Sequence, residues 1–327
     1  PGGRPRASRA VDRLAVKSPD TVVLAGGGTL GEAWMTGVAI GLKRGGGPDL
    51  TMAGQFIGTS AGSIMATMIA GGTPLERRMQ RLSGDSDIAG AEVDPSYTRI
   101  GREPGRVRRS AAGLAAMAGL ALLGPGSRFI RRAFLRRIPE GRHDLGRLGE
   151  SIDRLGLSWN GRLRITAVDL ESADRVVFGN EFTDSVSVSD AVLASCAIPG
   201  YFRPVRGGGR TFVDGGVWSF SNLDLAGSGE GRTVICLNPA GTRVEGVPRL
   251  RAAITAGAIR LLSWLEAAKL RRDGTSVTVI RPNAEAAVAI GPSRMDSARL
   301  EETVSAGIAQ GLGLAESLGQ RFSPASP

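Results

Sequence analysis

The chain has 327 residues, 42% of them hydrophobic, with a formal net charge of +10, two cysteines and one histidine. That length and apolar content suffice for a substantial buried core, in one large domain or two smaller ones. Two cysteines far from any ligand partner do not suggest a disulfide framework, and a bridge between Cys196 and Cys236 has no support in the sequence. With a single histidine they leave no zinc-type ligand cluster, so no metal or organic cofactor is expected.

Residues 1–20 are polar and basic, without an apolar run of signal-peptide type, and are read as a flexible segment ahead of a domain spanning 21–320, with 321–327 as a tail. The chain opens on Pro1, not on a methionine. Thr21 to Ala25 is a β-branched, strand-like run that opens into the glycine loop Gly26-Gly27-Gly28-Thr29-Leu30-Gly31 and then a helical run from Glu32 to Leu42. Glycines there permit positive φ and close approach, so that bare N–H groups can face a negative oxygen. A second strand-like run, Gln55-Phe56-Ile57, leads through Gly58-Thr59-Ser60-Ala61-Gly62 into a helical stretch from Ile64 to Ala70. This is the setting of a G-x-S-x-G nucleophile. The residues two before and two after the serine must be small for the turn to close, and Gly58 and Gly62 meet that demand. The helix after it would place its positive end beneath an oxyanion formed when Ser60 attacks a carbonyl.

Between residues 99 and 147 stand twelve arginines, no lysine and three acids, so nearly all of the net charge belongs to this one segment. It contains a small-apolar run, 111–123, too short to span a bilayer core that needs about 20 apolar residues. An amphipathic run comes next, over 129–138. As a helix it would cluster Phe129, Ile130, Ala133, Phe134 and Ile138 on one side, with Arg131, Arg132, Arg136 and Arg137 mostly on the other. Two roles are expected for this insert: a peripheral contact with anionic membrane, or a solvated lid over the site.

Strand-like runs at Leu163 to Val168, Val176 to Phe178, Thr233 to Leu237 and Val277 to Ile280 alternate with helical stretches, which predicts a mostly parallel sheet covered on both faces. The long runs Leu250 to Arg272 and Met295 to Leu318 have helical spacing, and their apolar residues, Trp264 included, are expected in the core. Cys196 and Cys236 lie in apolar runs and read as buried structural thiols. Arg210-Thr-Phe-Val-Asp214-Gly215-Gly216 delivers one carboxylate into a turn.

A Ser-His-Asp triad needs an imidazole base. The lone histidine, His143, stands in an arginine-rich stretch and reads as a solvated loop residue, which leaves Asp214 as the base for Ser60 in a two-residue dyad. A free aspartate, with a pKa of about 3.9, is a poor base for a hydroxyl and would need desolvation or direct contact with the serine.

Gly26-Gly27-Gly28-x-x-Gly31, Gly58-x-Ser60-x-Gly62 and Asp214-Gly215-Gly216, in that order, resemble the patatin-like phospholipases, and the segment from Asp190 to Val205 is similar to the family's stretch between serine and aspartate. The resemblance covers residues 21 to about 225. It implies a three-layer α/β/α fold and a serine lipid acyl hydrolase with a Ser-Asp dyad. Carried over residue by residue, it makes Ser60 the nucleophile, Asp214 the base, and the N–H groups of Gly27, Gly28 and Ala61 the oxyanion hole. Two departures stand out: Leu30 occupies a position usually held by Lys or Arg, and Leu223 replaces a proline common after the asparagine at position 222.

Competing readings are a non-catalytic lipid-binding protein on the same fold and a dinucleotide-binding protein using Gly26-x-Gly28-x-x-Gly31 with Asp49 on the ribose. The second leaves both Gly58 to Gly62 and Asp214 to Gly216 unexplained, and Asp49 comes directly after a turn. Arginine-rich segments also bind nucleic acid, but only Phe129 and Phe134 are candidate stacking residues, so no nucleic-acid partner is expected. The expected partner is a lipid substrate, met by a cytoplasmic enzyme that visits the membrane surface.

Overall fold

The computed structural model describes residues 18–82, 119–121, 128–180, 185–240 and 249–322. The strands are β1 (Thr21–Leu24), β2 (Gln55–Thr59), β3 (Leu163–Asp169), β4 (Arg175–Phe178), β5 (Val205–Gly207), β6 (Arg210–Asp214), β7 (Thr233–Leu237) and β8 (Ser276–Ile280). They form one sheet in which β3, β2, β1, β7 and β8 are successive parallel neighbours. The antiparallel pairs are β3 with β4, β3 with β6, and β5 with β6. All four residues of β1 are buried, as are the last four of β2 and of β7. Strands covered on both faces need no polar alternation, which is why these read as continuous apolar runs.

Register around β3 fixes which strand ends meet. Ile165 pairs with Gly58 of β2 and Phe178 of β4, while Ala167 pairs with Val176 of β4 and Asp214 of β6. A strand residue has one partner on each edge, so β4 occupies one edge of β3, and β2 and β6 share the other. The end of β2, Thr59, is opposite Thr166, and the end of β6, Asp214, is opposite Ala167. Two strands arriving from opposite directions therefore end at consecutive residues of a third.

The helices are α1 (Gly28–Arg44), α2 (Ala61–Ala70), α3 (Leu75–Leu82), α4 (Arg128–Leu135), α5 (Gly146–Asp153), α6 (Val188–Cys196), α7 (Arg249–Arg272), α8 (Ala284–Ile290) and α9 (Leu300–Phe322). One face of the sheet, through Val22, Leu24 and Phe56, enters a large core with α1, α2 and the helices around them. The other, through Val23, Ile57 and Cys236, packs on Ala267 and Leu270 of α7. This is the expected three-layer α/β/α arrangement with a mostly parallel sheet.

Helix α1 is buried from Thr29 to Leu42 and lies along α9 at backbone contact. A methyl group added at Gly41 would stand 2.9 Å from the Gly311 Cα, and one at Gly37 would stand 3.0 Å from the Gly307 Cα. The glycine pairs thus set the depth at which α1 sits, and with it the position of the glycine loop at its head. On α1, Glu32 is wholly buried and pairs with the equally buried Arg78 of α3 at 2.6 Å. Such a pair adds little over an apolar substitute, but losing one partner strands the other charge in a low dielectric.

The structure corrects three expectations. The run from Met295 becomes α-helical only at Leu300, after a 3-10 turn over Ser297–Arg299, leaving Met295 in a loop. On α7, Ile254, Leu261, Trp264 and Leu265 are 58%, 52%, 57% and 49% exposed, because the helix meets the sheet along a stripe that carries Ala267 and Leu270. On α4 the apolar residues Phe129, Ile130 and Phe134 face outward together, but Arg131, expected with the other arginines at the surface, is buried. Most of the 111–123 run lies outside the described residues; of its 119–121 portion, which is helical, Leu120 and Ala121 are buried.

Arg78→Met should lower stability by about 3 to 5 kcal/mol, because the buried Glu32 loses its ion-pair partner. Chemical denaturation of that variant beside Glu32→Gln/Arg78→Met checks this: the double variant should recover much of the loss, and equal stabilities of the two variants would contradict the assignment.

Candidate active site

The sheet geometry brings Ser60 and Asp214 together. Ser60 leaves β2 with φ 52° and ψ −127°, a left-handed backbone that a non-glycine residue adopts only under constraint, and α2 begins at the next residue. The constraints are visible. A methyl group at Gly58 would run into the Ser63 Cα, and one at Gly62 into the Leu24 carbonyl. The Ser60 N–H donates to Ser195 Oγ at 2.8 Å, and its carbonyl accepts from Ser63 N at 2.7 Å and Ser63 Oγ at 2.6 Å.

Asp214 is wholly buried at the end of β6. Its N–H donates to the Ala197 carbonyl at 2.9 Å, and its Oδ1 accepts the Gly216 N–H at 2.7 Å. A side chain at Gly215 would stand 2.5 Å from the Thr166 carbonyl, so the turn after Asp214 requires glycine there. Burial raises the Asp214 pKa to about 7, while the Gly216 N–H and the Ser60 hydroxyl beside it pull the other way. Oδ2 has no full hydrogen-bond partner among the described residues. The desolvation that an aspartate base requires is therefore present.

The glycine loop closes the third side. Gly28 has φ 67°, and a methyl group there would stand 2.8 Å from Met295 Sδ, so both backbone conformation and space demand glycine. No described residue accepts the N–H of Gly27, Gly28 or Ala61. These groups head α1 and α2, whose first N–H groups have no intrahelical acceptor. Gly28, Thr29, Ser60 and Ala61 line a common pocket, with Ile64, Leu145, Cys196, Ile198, Phe202 and Met295 as its mostly apolar walls. Gly27 is adjacent to Gly28 but does not line it. Gly26 anchors the loop by donating to the Phe220 carbonyl at 2.8 Å, and Gly31 closes the first turn of α1 onto Gly27.

Both sequence departures have physical explanations. Leu30 is wholly buried and its N–H donates to the Arg294 carbonyl at 2.9 Å. The Arg294 side chain is buried beside the loop and donates to the Pro239 carbonyl at 2.8 Å; burial lowers its pKa to about 10, so it remains charged at neutral pH. A cation thus packs near the glycine loop although position 30 carries none. Leu223 uses the N–H that a proline would lack, donating to Glu266 Oε2 at 3.0 Å. Burial, more than any other influence, raises the Glu266 pKa.

Asn222, left-handed at φ 48°, donates through Nδ2 to Thr59 Oγ1 at 3.0 Å and Thr166 Oγ1 at 3.2 Å. Its Oδ1 accepts from Arg175, which also grips Asp224 with two bonds of 2.7 and 2.8 Å. This network ties the chain after Asp214 to the strand that carries Ser60. Its partners come from three strands, and no local sequence pattern reveals them.

His143 is half-buried, not solvated: its ring stacks on Tyr201 at 4.8 Å between centroids, and its backbone bonds Tyr201 and Arg203. Cys196 and Cys236 are free, buried thiols, which rules out a bridge between them. Leu145 and Met295 are pocket residues that sequence reasoning misses; each sits in a segment without a motif.

Ser60→Gly should be more stable than the parent by on the order of 1 kcal/mol, because glycine adopts the left-handed backbone without steric cost. Thermal denaturation measures it, and a lower melting temperature for the variant would show that the turn stores no strain.

A family model described as patatin-like phospholipase matches residues 22–226. Among solved structures, that titled "Crystal structure of VipD from Legionella pneumophila" is similar over 92% of this chain and 68% of its own, with a TM-score of 0.41 and 14% identity.

Proposed function

The chain belongs to the patatin-like phospholipase family, a family of lipid acyl hydrolases, and on that premise we propose that it cleaves carboxylic esters of lipids through a Ser60–Asp214 dyad. The observation that carries this reading is the left-handed Ser60 at the head of α2, in a pocket shared with the N–H groups of Gly28 and Ala61. Asp214, with Oδ1 held by Gly216, takes the Ser60 proton on Oδ2 as Oγ attacks the acyl carbonyl. The negative oxygen is received by the amides of Gly28 and Ala61, with Gly27 alongside, at the positive ends of two helices. Asp214 returns the proton to the departing alcohol. Water, deprotonated by the same carboxylate, then attacks the acyl-enzyme, and Asp214 passes that proton to Ser60 Oγ as its bond to the acyl carbon breaks and the acid is released. No metal or organic cofactor takes part in this sequence.

A base must be unprotonated to act. With the Asp214 pKa near 7, the carboxylate fraction, and so the activity, rises as pH increases through neutrality. For turnover of a short-chain p-nitrophenyl ester, kcat/KM should climb with pH to a plateau with its midpoint near 7. Ser60→Ala and Asp214→Asn should each lose about a thousandfold or more while keeping a native circular-dichroism spectrum. Full activity in either variant would refute the dyad, and absence of turnover in the parent protein would favour a lipid-binding role for the same pocket.

A further inference from the structure

Helix α4 is built inside out for a globular protein. Phe129, Ala133, Ile130 and Phe134 fall on one arc, and its large members face solvent, with Phe129 70% and Ile130 59% exposed. Arg131 instead points inward, its guanidinium 4.4 Å from the centre of the Trp218 ring and bonded to the Ala173 carbonyl at 3.2 Å. Arg128, Arg136 and Arg137 are exposed at the two ends of the apolar arc. A compact apolar face bordered by cations is costly in water and has a complementary partner in an anionic lipid surface.

The position of the helix supports that partner over a protein one. The chain leaving α4 places Ile138 against Gly200 and Gly141 against the Phe202 backbone, then reaches Leu145, so the same segment forms a wall of the pocket that holds Ser60. Exposed Arg142 and Arg203 continue the basic rim along it, against the exposed acids Glu140 and Asp144. Among the described residues no helix is long and apolar enough to cross a membrane, so the contact is one of lying on the surface.

We infer that α4 is an interfacial docking element that inserts Phe129, Ile130 and Phe134 into an anionic lipid surface and presents the adjoining pocket to it. The inference rests on the acyl-hydrolase reading for what the surface delivers. Flotation of the full chain with phosphatidylcholine vesicles, with and without phosphatidylglycerol, tests it. The parent protein should bind the anionic vesicles at least about tenfold more tightly than the neutral ones. Phe129→Ser/Ile130→Ser/Phe134→Ser and, separately, Arg128→Gln/Arg136→Gln/Arg137→Gln should each lose at least about tenfold of that binding, with turnover of a water-soluble ester unchanged. If the apolar variant does not fold, the arginine variant decides. No vesicle binding by the parent protein, or parental binding by the folded variants, overturns the inference. Vesicle binding that depends on these residues without any ester turnover would support the docking surface and sink the hydrolase reading, so the two fail separately.

Discussion

The end-on meeting of β2 and β6 along one edge of β3 is the constraint on which the rest of the site depends. Thr59 and Asp214 are registered to consecutive residues, Thr166 and Ala167, so Ser60 and Asp214 are brought together by backbone pairing and not by a flexible loop. The arrangement is then locked from several sides. Thr59 and Thr166 share a 2.8 Å bond, Asn222 bridges both, and Gly215 packs so closely on Thr166 that no side chain fits. Holding a serine in a left-handed backbone costs energy that the surrounding close contacts must offset.

Burial does a second job at Asp214. An exposed aspartate would be too weak a base at neutral pH for the proposed dyad, whereas burial raises the Asp214 pKa to about 7 while a single backbone N–H keeps one oxygen in place. The proposed oxyanion donors come from two helix starts that face one pocket. Arg294 adds a buried positive charge beside the loop, where the apolar Leu30 carries none. The helix that carries the glycine loop is in turn seated by glycine-to-glycine contact with α9 and by the buried Glu32–Arg78 pair.

Much of this is legible in the sequence, for reasons that separate local from non-local signals. Strand runs such as Thr233 to Leu237, and the glycines flanking Ser60 and after Asp214, report short-range sterics, so they can be read without a structure. The contacts of Arg294, Asn222 and Met295 cannot, because each partner comes from a distant part of the chain. Helical periodicity marks α4 and α7 correctly as helices but puts Ile254, Leu261, Trp264 and Leu265 of α7 in the core and Arg131 of α4 at the surface. A pattern of apolar spacing does not say which side is covered, and in α4 a buried Arg131 finds Trp218 and a carbonyl while the phenylalanines remain outside. His143 is misread from sequence for a related reason: its frame, Tyr201, is far from it along the chain.

The most direct test of the central claim is the rate at which a fluorophosphonate probe modifies the protein as a function of pH, with the adduct located by mass spectrometry. The account predicts a single adduct on Ser60, formed at a rate that rises through a midpoint near pH 7 and becomes very slow when Asp214 is replaced by asparagine. Modification of another residue, or of Ser60 at a rate indifferent to both pH and Asp214, would contradict it.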